Sequence, residues 1–125
     1  MMRLDEFCRR TGEIVSARPE ADVPGVIAEF LPELLACPDL LRDDQKRLPA
    51  EGYGRHEVFL CPNDLFSVIA AVWPPRYASP IHNHMTWCAF GVLEGEVRET
   101  RYLPESADPA CRDAVVTAEQ LWTPG

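Results

Sequence analysis

Only three histidines occur in the 125 residues, and two of them, His82 and His84, are separated by a single residue. In an extended strand, residues i and i+2 face the same side. This spacing would therefore offer two imidazoles to one point, with Asn83 directed away from it. Imidazole nitrogen accepts Fe, Ni, Cu and Zn alike, and a metal site built this way needs a third or fourth ligand from a distance. The plain alternative is a pair of structural or solvated histidines. His56 directly follows Arg55 at a strand start, so the two side chains face opposite ways, and His56 is the weaker candidate for a ligand.

The elements that must position these residues change in character near residue 50. Leu4, Phe7, Cys8 and Thr11 follow the spacing of an amphipathic helix. A second helix is expected from an N-cap at Asp22, with Pro24 in its first turn and Val26, Ile27, Phe30, Leu34 and Leu35 as its apolar stripe. Pro32 threatens to kink or split that helix, and residues 39–46 suit one more short helix. Nothing in this half looks chemical, and its expected role is to cover one face of a sheet. From Tyr53 the period becomes two. Strands are expected over residues 56–60, 65–73, 81–89, 90–93, 96–103 and 114–117, with turns at residues 61–64, 74–77 and 94–95 and a polar loop over residues 104–112. Short strands with frequent turns point to an antiparallel barrel or sandwich.

Several segments carry a resemblance. Tyr53-Gly54-Arg55, the Val72-Trp73-Pro74-Pro75 turn, Ser79-Pro80-Ile81-His82-Asn83-His84, Thr86-Trp87 and Gly91-Val92-Leu93-Glu94-Gly95 together resemble the thiol dioxygenases. These are the cysteine dioxygenase-like branch of the cupin superfamily. The resemblance spans Tyr53 to Tyr102. It implies a mainly β fold, a cupin barrel (a double-stranded β-helix, jelly-roll-like) over residues 51–125 behind a helical segment over residues 1–50, in a single domain. It also implies a non-heme Fe(II) enzyme that oxidises a small carboxylated thiol, cysteine or a mercapto-acid, to its sulfinate with O2. His82 and His84 would be metal ligands. Arg55 would hold the substrate carboxylate through a bidentate, charge-assisted bond, with Tyr53 beside it. Cys88 falls near the position where some members carry a cysteine cross-linked to a distant tyrosine. Each has a plainer reading: Arg55 as a surface cation, Tyr53 as packing at a barrel rim, Cys88 as a small apolar residue between Trp87 and Phe90.

The chain also departs from that pattern. Cys88 stands where many cupins place a glutamate ligand, and no histidine follows His84. The sequence reads as the front part of a longer protein that lacks its closing strands. An open barrel leaves strand edges unpaired, so a homodimer through sheet edges, with ligands from a neighbouring copy, is expected. Two further readings remain open: a non-catalytic cupin-like binding or assembly module, and a cupin enzyme using Ni, Mn or Zn.

Composition narrows the partners. A net charge of −8 disfavours nucleic acid and anionic membrane surfaces. No apolar run reaches the ~18 residues of a membrane span, and the acidic start does not suit a signal peptide. A cytoplasmic protein is expected, and the resemblance implies a small thiol and O2 as its partners. The five cysteines form no Cys-x-x-Cys pair, so reduced thiols are expected throughout.

Overall fold

A computed structural model describes residues 2–124. The chain divides into two compact units, Met1–Phe90 and Gly91–Gly125.

The first unit is built on two helices and a hairpin. Helix α1, Leu4–Ala17, buries Phe7, Cys8 and Thr11. Helix α2, Val23–Leu35, buries Val23, Ile27, Phe30 and Leu34, a four- and three-residue spacing that keeps one stripe against α1. The rings of Phe7 and Phe30 lie 5.3 Å apart in a tilted pair, and the Arg10 guanidinium sits 4.6 Å above the Phe30 ring. Asp22 precedes α2 but makes no side-chain capping bond. It ends a short 3-10 turn, Glu20–Asp22, and already has helical dihedrals, unlike the extended backbone of an ordinary N-cap. Pro32 lies inside α2 without ending it. It is exposed, and its own carbonyl accepts the Ala36 N–H at 3.1 Å. The buried Phe30 and Leu34 on either side hold the helix through the one missing donor. The third expected helix is a 3-10 turn, Asp43–Lys46, anchored by the buried Gln45, whose side-chain oxygen accepts the Arg42 N–H at 2.9 Å.

Strands β1, Gly54–Leu60, and β2, Ser67–Val72, form an antiparallel hairpin in which Gly54 opposes Val72 and Leu60 opposes Ser67. A register irregularity lies between Glu57 and Phe59. The connecting loop is closed by Asp64 N–H to the Cys61 carbonyl, at 2.9 Å, and Cys61 N–H to the Phe66 carbonyl, at 3.1 Å. Phe59, Cys61, Phe66 and Val68 join the helices in one apolar core. The expectation that the helical half covers a sheet face is met by this hairpin.

The second unit is also a hairpin. Strands β3, Val97–Pro104, and β4, Ala114–Trp122, pair antiparallel from Val97 opposite Trp122 to Pro104 opposite Ala114. The loop between them is tied by Glu105 N–H to the Asp113 carbonyl, at 2.9 Å, and by the Asp108 carboxylate to the Ala110 N–H, at 2.9 Å. Before β3, Gly95 has φ +79° in the bend at residues 93–95, a dihedral that costs glycine little. Every residue of β4 is exposed.

This architecture corrects the mainly β cupin barrel. The described residues hold two separate two-stranded sheets and no closed barrel, and the two α-helices are a large part of the core. The strands expected over residues 81–89 and 90–93 do not form. A strand is stable only with a partner that completes its hydrogen bonds, and β1 and β2 pair only with each other. Trp87 and Ala89 instead pack against the core. Among the described residues no helix is long and apolar enough to cross a membrane.

Candidate metal centre

His82 and His84 lie in the irregular segment after β2, and both are exposed. The chain reaches them through the 74–77 turn, where Tyr77 N–H donates to the Pro74 carbonyl at 3.1 Å and Arg76 has φ +65°. Although no strand aligns them, the two imidazoles are neighbours. Their ring centroids are 5.2 Å apart and their planes are inclined at 56°. Two imidazoles bound end-on to one ion at about 2.1 Å have centroids roughly 5 Å apart, so the observed separation suits a shared ion.

The ring nitrogens are already differentiated. His82 Nδ1 lies 2.7 Å from the Pro80 carbonyl oxygen. A carbonyl can only accept, so Nδ1 carries the proton and the neutral ring presents its lone pair at Nε2. Fixing one nitrogen by a backbone carbonyl is how ligating histidines are commonly held in one tautomer. The sequence offered Pro80 as a conformational constraint only. Its carbonyl role goes with the bend at Ile81, which lies between Pro80 and His82.

The donor set stops at two. Among the described residues, no group of three or more His, Cys, Asp or Glu side chains is placed to hold a metal ion. His56 is engaged elsewhere: its Nε2 lies 2.8 Å from the Arg47 carbonyl and donates to it. That bond ties the 42–49 segment to β1 at a point of close approach. A Cβ on Gly54 would come within 2.8 Å of the Arg47 carbonyl oxygen and 3.0 Å of His56 Nε2. Three histidines from this chain therefore do not assemble around one ion, while two fit as half of a site.

The remaining candidates lie on β1, just before it and just after the imidazole pair. Arg55 is exposed on β1 opposite Ala71. Tyr53 is 45% exposed and makes a tilted ring pair with Tyr77 at 5.6 Å. That partner was not singled out in the sequence, because it lies beyond β2. No hydrogen bond, ion pair or ring contact among the described residues joins Arg55 or Tyr53 to either imidazole. Cys88 is exposed, not the buried apolar residue that its neighbours suggested. Cys8 is the contrasting thiol. Burial, then Asp5 and then Cys61, push its pKa up to about 11, so it stays protonated and unreactive near neutrality.

No model of a known protein family matches the chain, and no solved structure matches it.

Proposed function

We propose that the chain supplies two ligands, His82 and His84, to a divalent transition-metal site. We further propose that this site oxidises a small carboxylated thiol, cysteine or a mercapto-acid, to its sulfinate with O2. The observation that carries the metal reading is the neighbouring imidazole pair, 5.2 Å between centroids, with His82 held by the Pro80 carbonyl. The choice of reaction rests on the sequence resemblance and needs no closed barrel. Fe(II), when bound, would supply adjacent open positions for thiolate and oxygen. The protein's part is to present Nε2 of each histidine and to draw the substrate carboxylate toward the Arg55 guanidinium. The reaction balances without a further reductant. Sulfur forms two S–O bonds and gives up four electrons, O2 accepts them, and the S–H proton is released as the sulfinate forms.

The test is metal content by plasma mass spectrometry on tag-free protein, followed by oxygen uptake with cysteine and with 3-mercaptopropionate. Bound iron, thiol-dependent uptake and loss of both in His84→Ala are the expected results. Uptake that survives His84→Ala would overturn the assignment. A second reading, a non-catalytic ligand-binding or assembly module, is favoured by the missing third ligand among the described residues. Bound metal with no thiol-dependent uptake selects it.

A further inference from the structure

The half-site leaves a coordination problem that the chain does not solve by itself. A tetrahedral ion takes four donors and an octahedral ion six. The described residues bring two nitrogen donors together, on an exposed segment, with no third group beside them.

The surroundings of the pair bear on where the others come from. In a chain that is 26% charged with a net charge of −8, no Asp, Glu, Lys or Arg occurs anywhere from Tyr77 to Phe90. The residues flanking the imidazoles are apolar and open to solvent: Ile81 is 62% exposed and Met85 is fully exposed. A partner of any unrelated acidic or basic character finds nothing here to pair with. A second copy of the same segment meets it without the repulsion that two −8 chains feel elsewhere. Two-fold symmetry then places the same patch on both sides, and each copy brings two imidazoles to the axis.

We propose that one divalent transition-metal ion joins two copies of this chain through four imidazoles, His82 and His84 of each, with Ile81 and Met85 closing apolar surface around it. The inference rests on the metal reading above and adds the source of the missing ligands. Four imidazoles complete a tetrahedral Zn2+ shell. Around an octahedral ion they leave two positions open, the number that a thiolate and O2 require.

The experiment is sedimentation of the tag-free, metal-stripped 125-residue chain at micromolar concentration, titrated with Zn2+, with zinc per chain measured on the same samples. The expected result is a monomer whose mass doubles, saturating at one ion per two chains and reversed by EDTA. His84→Ala should stay monomeric at the same zinc concentration. Ile81→Glu keeps both ligands but sets like charges against each other at the interface, which weakens association. Its dimerisation should need at least about tenfold more protein. One ion per chain at monomer mass would overturn the shared site and leave the metal reading standing. A dimer that forms without metal and ignores zinc would also overturn the shared site. No zinc binding at all would remove both readings.

Discussion

At the residue scale, the residues of the candidate site were legible, while the geometry that brings them together was not. His82 and His84 stood out by type and spacing, and they are neighbours in the structure. The reason given by the sequence, a shared strand face, is not the reason they meet. They sit instead in irregular chain after a bend at Ile81, with His82 held by the Pro80 carbonyl. Backbone carbonyls are invisible in a list of side chains, so this part could not be read in advance. Cys8 shows the same point for burial. Its helical spacing marked it as core, and it is 7% exposed. Its pKa, raised from 9.0 to about 11, makes the thiol a pH-dependent source of stability. The folded chain holds the proton more tightly than the unfolded chain does. The contribution is therefore complete below pH 9 and is lost as pH rises through 11. The urea midpoint of the native protein should fall toward that of Cys8→Ala over this range. A gap between the two that stays constant with pH would refute the assignment.

At the element scale, both helices and the β1–β2 hairpin were readable because their periodicity and their burial agree. Phe7, Ile27, Phe30 and Leu34 fall where the stripe requires. The 81–89 segment misled because an alternating pattern describes which face a strand would bury and says nothing about whether a partner exists. Strand propensity is largely a statement about such packing context. Gly54 is the element-level position with a sharp consequence. It is buried, and the space a Cβ would need is taken by the Arg47 carbonyl and His56. Gly54→Ala must push the 42–49 segment off β1 or strain the His56 bond. A loss of about 1–3 kcal/mol is expected, the usual cost of forcing a methyl into filled space. Urea unfolding measures it. Gly25, which has no atom within 4 Å of its added Cβ, serves as the comparison, and Gly25→Ala should not destabilise. Equal losses at both positions would rule out the close-approach explanation.

At the scale of the whole molecule, the sequence marks a change from helix to strand near residue 50, while the two compact units part after Phe90. The composition shift from helix to strand was real but did not mark a boundary, because β1 and β2 contribute Phe59, Cys61, Phe66 and Val68 to the same core as the helices. A chain's compact units follow shared burial more than shared secondary structure. Among the described residues, every member of that core, and every apolar residue packed on it, lies between Met2 and Ala89. A chain ending at Phe90 should therefore keep its helical circular dichroism and unfold cooperatively in urea. It should also keep both imidazoles. A broad, non-cooperative transition would instead assign residues 91–125 a share in the first unit's stability.

Trp87 packs against the core and stands three residues beyond His84. Three residues of fully extended chain reach at most about 11 Å, so the indole is always close to the imidazole pair. An open-shell ion such as Cu2+ seated there would dim the indole's ultraviolet emission, and a closed-shell ion such as Zn2+ would leave it bright. Dimming of the Trp87 share of the emission by added Cu2+ would thus report an ion at the imidazole pair, with no dye or label attached.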